Sequence, residues 1–290
     1  MKKRYVADEF CEYLGAHYPD ETAITKEMFD EWLCQREFAT NAHHLHCVTN
    51  VRMFLRYLEF AGEHVYVPDG DYSVRVERFS PHTLTDEELT RLFNTFDSVT
   101  PDNHSPYREY IIPVMFRMMY CCGMRPGEPM SVLRKDFDLN TGELYIRQAK
   151  GYKDRRILVS DDILQLCRKY AGHMKTEKYF FERNPSEKIA VHWMRNQFDS
   201  AWESSGIQSV RKARPYDLRH NFATRTIIRW VNEGKDATEL LPYLSEYLGH
   251  ISLASTAYYI HLVPERIFAN KGIDWQRFKS IYTEVANEKS

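Results

Sequence analysis

The chain has 290 residues, 43% hydrophobic and 28% charged, with 39 Lys and Arg against 41 Asp and Glu. That is long enough for two domains of roughly 100 to 200 residues and too rich in core-forming residues for a disordered chain, and the net charge of −2 excludes a uniformly basic nucleic-acid binder. There is no apolar run of signal-peptide or membrane-spanning length, and the six cysteines, Cys121 and Cys122 adjacent, suit reduced buried thiols better than a disulfide framework, so the expectation is a cytoplasmic protein with no membrane span.

The first segment reads as a small helical bundle. Thr25 is placed to cap a helix carrying Met28, Phe29, Trp32 and Leu33, and Val51, Phe54, Leu55 and Leu58 repeat the helical spacing. His43, His44, His46 and Cys47 fit no zinc spacing and are taken as the polar lead-in to a helix beginning near Thr49, so no metal is expected. From about Gly62 to Pro81 the sequence is polar, with Pro68-Asp69-Gly70-Asp71 and no helical period, which predicts the connection between two domains. The boundaries assigned are residues 1–75 for a helical domain, 76–83 for a linker and 84–290 for a second domain.

The second domain begins with a capping box, Thr85 with Glu88, over Asp86 to Phe96. A second apolar helix covers Tyr110 to Tyr120 and ends at Gly123. The period then changes: residues 143–148 and 155–159 alternate as strands around Lys150-Gly151-Tyr152-Lys153, predicting a hairpin with Lys150 at its tip. After Asp161 the pattern is helical, with breaks near Pro185, Gly206, Pro215, Pro242 and Gly249. The fold class expected is mainly α (α+β), with one small antiparallel sheet. Charge follows the same division. Residues 1–80 hold 9 Lys and Arg against 14 Asp and Glu, whereas residues 145–230 hold 18 against 9, a basic stretch suited to a phosphate backbone.

Four pieces of sequence each present a cation, a donor or a nucleophile where a turn meets a regular element. In Gly123-Met124-Arg125-Pro126-Gly127-Glu128 the glycines and proline set Arg125 in a turn at the start of the next helix, with Glu128 three residues on to hold it. Lys150 offers an ammonium at the hairpin tip. In Arg214-Pro215-Tyr216-Asp217-Leu218-Arg219-His220, Pro215 opens a helix on which Tyr216, Arg219 and His220 fall within one turn, a guanidinium suited to bidentate binding of phosphate between two polar rings. In Leu248-Gly249-His250, Gly249 ends a helix, and a new helix carrying Tyr258 and Tyr259 begins after a short loop.

Together these pieces resemble the catalytic signature of the tyrosine recombinases of the phage-integrase family, in order and in approximate separation. The resemblance covers nearly the whole chain, residues 1 to about 75 looking like a core-binding domain and the rest like the catalytic domain. It implies a site-specific recombinase that cleaves and rejoins double-stranded DNA through a 3′-phosphotyrosyl intermediate, probed by Arg125, Lys150, Tyr216, Arg219, His250 and the nucleophile Tyr259, nine residues after His250, with Glu128 and His220 in support. It further implies integration or excision of a mobile element, a homotetramer on DNA whose carboxy-terminal segment (Ile273, Trp275, Phe278, Tyr282) docks in cis or in trans, and neither a metal nor another cofactor. Two positions depart from the family's pattern: Tyr216 stands where a histidine is usual, and Pro129 where an aliphatic residue is. A phenol donates a hydrogen bond but does not exchange protons near neutral pH. The alternatives are a type IB topoisomerase-like relaxing enzyme and a catalytically impaired DNA-binding protein on the same fold.

Overall fold

The computed structural model describes residues 6–72, 74–75, 81–147 and 154–262. The chain divides into two compact units, Met1–Ser80 and Pro81–Ser290. In the first, helices α1 (Val6–His17), α2 (Lys26–Cys34) and α3 (Asn41–Phe60) enclose Phe10, Phe29, Trp32, Cys47, Val48, Val51 and Leu55. Thr25 caps α2, its hydroxyl accepting from Met28 N. The third helix starts at Asn41 under a Thr40 cap, several residues earlier than the sequence predicts. The histidines therefore belong to its first turns, where His43 and His44 lie against Phe38 and Cys47 is buried in the core. Residues 64–72, expected in the connection, pack on this core: Tyr66 N donates to Ile24 O at 2.7 Å, and Tyr66, Val67 and Tyr72 cover the helices. Val65, Tyr66 and Val67 supply the apolar surface that the neighbouring Pro68-Asp69-Gly70 turn signal obscures.

In the second unit, α4 (Asp86–Asp97), with both bonds of the predicted capping box formed, leads to α5 (Arg108–Cys121). Ile111, Ile112, Val114, Met115, Phe116, Met118 and Met119 of α5 are all buried, so the helix is apolar around its girth and forms the centre of the unit. Strands β1 (Glu143–Ile146) and β2 (Arg155–Leu158) pair antiparallel, Glu143 opposite Leu158 and Ile146 opposite Arg155. Then follow α6 (Asp161–His173), α7 (Val191–Ser204), α8 (Pro215–Asn232), α9 (Ala237–Leu248), the short α10 (Leu253–Ala257) and a 3-10 turn, Tyr258–Leu262. Helix α8 lies against α5, and α9 and the last turn lie on α8. The fold is thus mainly α with one small two-stranded antiparallel sheet. No helix among the described residues is long and apolar enough to cross a membrane.

Three local expectations are corrected. Pro242 lies inside α9 instead of breaking it, because the sacrifice of one N–H to Thr238 O is outweighed by burial of Leu241, Leu244 and Leu248 on the same helix. No α-helix follows Arg125: the turn leads into a 3-10 turn, Pro129–Ser131. The two tyrosines lie on the 3-10 turn after α10 and not on a regular helix.

Candidate active site

The site is assembled at the carboxy-terminal end of α9. The last carbonyls of a helix have no partner within it and carry the negative end of its dipole. Here three successive ones are each taken by a different guanidinium. Arg155 Nε donates to Tyr247 O at 2.9 Å, Arg219 Nη2 to Leu248 O at 2.8 Å and Arg125 Nη2 to Gly249 O at 2.5 Å. Gly249 makes this convergence possible. Its φ of +64° is the left-handed cap that ends α9, and a Cβ there would stand 2.9 Å from Arg155 Cδ. Gly123 plays the same part at the end of α5, with φ +57° and Phe222 Cδ1 only 2.5 Å from where a Cβ would be. Its carbonyl accepts from Arg219 Nη1 at 2.7 Å, so Arg219 on α8 ties together the ends of α5 and α9.

Glu128 is the carboxylate of this cluster. Its oxygens accept from Arg125 N at 2.7 Å and Arg125 Nη1 at 2.9 Å, and from Arg155 Nη1 and Nη2 at 2.7 Å each. Burial alone would push the carboxyl up, but the hydrogen bonds and charge of Arg155, with the Arg125 N–H, hold it below the usual range, so it is ionised at neutral pH.

Arg219 is wholly buried, yet its partners are neutral carbonyls, and its Nε has no hydrogen-bond partner. Burial and the neighbouring Arg125 pull its pKa down. Arg125, Arg155 and Arg219 against Glu128 leave two positive charges uncompensated in a desolvated place. An unpaired buried charge is costly, and the arrangement becomes favourable when an anion is bound. Guanidinium groups presented in this way match the oxygens of a phosphate.

Four rings gather beside the cations. The Tyr216 and His220 centroids are 4.9 Å apart, His220 and Tyr259 5.5 Å, and His250 and Tyr259 6.0 Å, the last pair nearly parallel at 19°. The His250 Nδ1 is 2.7 Å from the buried Thr256 hydroxyl, whereas the His220 Nδ1 is buried with no partner. Burial, then the surrounding arginines, lowers His250 to about 3 and His220 to about 4, so both imidazoles are neutral at pH 7. Tyr259 is 2% exposed, and burial pushes its phenol up to about 12 against the opposing pull of Arg219 and Arg125.

The structure therefore brings together Arg125, Glu128, Tyr216, Arg219, His220, His250 and Tyr259, drawn from the turn after α5, from α8 and from the chain after α9. Lys150 lies outside the described residues, as does the carboxy-terminal segment with Ile273, Trp275, Phe278 and Tyr282. Sequence reasoning missed Arg155 and Thr256. For Arg155 a signal existed: strand alternation puts it on the same face as Ile157, and both are buried while Arg156 and Leu158 are exposed. Asn221 was also missed. It staples the entry of the second unit to α8, accepting from Leu84 N at 2.9 Å and donating to His82 O at 3.0 Å.

Residues 82–266 match the pattern of the phage integrase family. An integrase/recombinase of Sinorhizobium fredii is 27% identical over 269 residues, covering 89% of this chain and 85% of its own. A tyrosine recombinase of Thermosipho africanus is 25% identical over 225 residues, covering 76% and 72%. Among solved structures, the XerH site-specific recombinase bound to its palindromic difH substrate, a post-cleavage complex, superposes with a TM-score of 0.66 at 19% identity, covering 89% of this chain and 75% of that one, a likeness of fold.

Proposed function

The chain belongs to the phage integrase family and is a tyrosine recombinase, an enzyme that breaks and rejoins DNA strands, and from that premise we propose that it recombines specific sites through a 3′-phosphotyrosyl bond at Tyr259. The observation that carries this reading is the pair of uncompensated positive charges around Arg219, walled by the ring of Tyr259.

A scissile phosphate in this pocket would set its non-bridging oxygens against Arg125 and Arg219, whose fixed guanidinium groups stabilise the added charge of the five-coordinate transition state more than that of the ground state. A phenol is a weak nucleophile until its proton departs. The imidazoles of His220 and His250 flank Tyr259, and the negative charge of a bound phosphate, by offsetting the neighbouring arginines, raises their basicity so that they take up that proton. As the Tyr259 oxygen bonds to phosphorus, the bond to the 5′-oxygen breaks, and Lys150 in the connection between β1 and β2 supplies the proton that oxygen needs. Attack by a 5′-hydroxyl of a partner strand reverses the step and joins the strands. The phosphodiester energy is kept in the tyrosyl bond, so the scheme requires no nucleotide. The guanidinium groups and the lysine neutralise charge and protonate the leaving group, so it requires no divalent ion.

The partner is double-stranded DNA, recognised at a specific site by a homotetramer, and the role is integration or excision of a mobile element in the cytoplasm. The relatives support this reading: the S. fredii protein is named as an integrase/recombinase, and the XerH structure is a post-cleavage complex with its difH substrate. Tyr216 favours one second reading, an impaired enzyme that binds DNA without cutting it, since a phenol stands where the family has an imidazole.

The test is a nicked duplex carrying the recombination site, taken from DNA flanking the coding sequence, incubated with protein in EDTA. A covalent adduct on a denaturing gel is expected. Specific binding with no adduct would establish the impaired reading, and relaxation of supercoils with no strand exchange would point to a topoisomerase-like activity.

A further inference from the structure

We infer that Arg155, at the first position of β2, is a positioning residue that sets the guanidinium of Arg125 for catalysis by way of Glu128. The inference rests on the recombinase reading above.

All three nitrogens of Arg155 donate within the cluster. Its side chain is 4% exposed, its two terminal nitrogens grip both oxygens of Glu128 at 2.7 Å, and its Nε is held by Tyr247 O at 2.9 Å. Each nitrogen of Arg155 is thus held inside the cluster, on a side chain almost closed to solvent. The same Glu128 oxygens hold the backbone and the side chain of Arg125. A carboxylate with only Arg125 to hold would be free to rotate about its own side chain. The fork from Arg155 fixes its plane, and a fixed plane fixes the direction in which Arg125 presents its guanidinium. Arg125 then keeps Gly249 O as its second anchor, leaving its position determined at two ends.

The charge arithmetic points the same way. Glu128 alone would neutralise Arg125 and weaken its pull on phosphate. Arg155 shares that carboxylate, so Arg125 is oriented by Glu128 without being cancelled by it. Lysine cannot reproduce this, since its ammonium is a point charge with no planar fork.

Arg155 also begins the strand that follows the Lys150 connection, so a rival route is through Lys150. The two routes separate by substrate. A 5′-bridging phosphorothiolate leaves as a thiolate that needs no proton, so it restores cleavage to variants defective in the general acid and not to variants defective in charge stabilisation. The experiment measures single-turnover cleavage by the full chain with wild type, Arg155→Lys, Glu128→Gln and the double variant, on oxygen-bridged and phosphorothiolate duplexes, with DNA affinity measured on the same duplexes. Misplacing a catalytic group by about 1 Å costs about 100-fold. The expected result is a loss of about that size in cleavage rate for Arg155→Lys, DNA affinity within about threefold of wild type, no rescue by phosphorothiolate, and little further loss in the double variant. Rescue by the phosphorothiolate would overturn the inference in favour of the lysine route, and additive losses would overturn the route through Glu128. If Arg155→Lys melts well below wild type, Glu128→Gln alone still decides between the routes by its response to the phosphorothiolate. Wild-type failure to form an adduct would refute the recombinase reading itself, a result distinct from any of these.

Discussion

Arg219 and Leu248, on α8 and at the end of α9, are joined by a 2.8 Å hydrogen bond from a guanidinium that is wholly buried and meets no carboxylate. This bond carries structure and electrostatics together, because the group that closes the end of α9 is also the least compensated cation of the pocket. Arg219→Lys keeps a charge but lacks the fork that spans Gly123 O and Leu248 O. The expected outcome is a fall of about 100- to 1000-fold in single-turnover cleavage, as for loss of one preorganised donor to a charged transition state. Denaturant melts should show destabilisation of about 1–3 kcal/mol, the cost of leaving a buried carbonyl unpaired. Unchanged cleavage in a folded Arg219→Lys would remove Arg219 from the charge-stabilising role.

The two tyrosines divide sharply. Tyr259 is buried between His220 and His250, while Tyr258 is half-buried with its ring 6.1 Å away. Tyr259→Phe is expected to abolish the covalent adduct with retained DNA binding, and Tyr258→Phe to keep it. Peptide mapping of the adduct checks the register, and an adduct at Tyr258 would reverse the assignment.

How much of this was legible beforehand depended on the kind of signal. Arg125, Glu128 and His250 each sit beside a glycine or a proline, Arg219 and His220 lie within two turns of Pro215 at the start of α8, Tyr259 follows the end of a short helix, and their sequence separations agreed with a known pattern. The helices with strong period and caps, such as α4 with Thr85 and Glu88, were visible for the same reason. Arg155 carried only the alternation that sets it on the face of Ile157, a signal overridden because an arginine in a short strand reads as a solvated charge, and tertiary contact with Glu128 and Tyr247 O shows its role. The start of α3 was hidden because histidines carry weak helix preference, and packing of Cys47 and Val48 overrides it. Pro242 read as a break for a local reason that burial of α9 defeats.

Gly249 is expected to tolerate no side chain. At φ +64° an alanine costs about 1–2 kcal/mol in backbone strain alone. Its Cβ would also press on Arg155 at 2.9 Å from Cδ and 3.2 Å from Nη1. Gly249→Ala should therefore lower both the melting temperature and the cleavage rate, whereas Gly127→Ala, where a Cβ meets nothing within 4 Å, should spare the melting temperature. Equal melting of Gly249→Ala and wild type would show that the end of α9 yields more readily than its hydrogen bonds imply.

Acid should destabilise the protein before it reaches the carboxylates. His250 and His220 have folded pKa values lowered to about 3 and about 4 by burial first and by neighbouring arginines second, while the unfolded chain titrates near its ordinary value of about 6.5. Above that value neither state binds these protons and stability is unaffected. As the pH falls below it the unfolded state takes up protons that the folded state refuses, so stability declines progressively toward pH 4. Glu128, held below its usual range, adds its own loss only as the pH falls below about 4.5. Denaturant midpoints measured from pH 7.5 to 4.5 should fall, and His250→Asn or His220→Asn should flatten the slope. A midpoint independent of pH across that window would mean that the imidazoles titrate in the fold as they do in the unfolded chain.

Tyr216 is the position at which activity is most open to improvement. Its ring lies 4.9 Å from that of His220, and His220 lies 5.5 Å from that of Tyr259, so position 216 reaches the nucleophile through a histidine already present one turn along α8. On the proposed scheme Tyr216 would donate a hydrogen bond to the phosphate and His220 would take up the proton. Tyr216→Phe should then reduce single-turnover cleavage by about 10- to 100-fold, the scale of one lost donor or less, without altering the pH at which the rate is half-maximal. Tyr216→His should add a second titrating group and broaden the pH profile on its acid side. A Tyr216→Phe protein as fast as wild type would show that the phenol does not contact the phosphate, leaving Arg125, Arg219 and His250 to bind it alone.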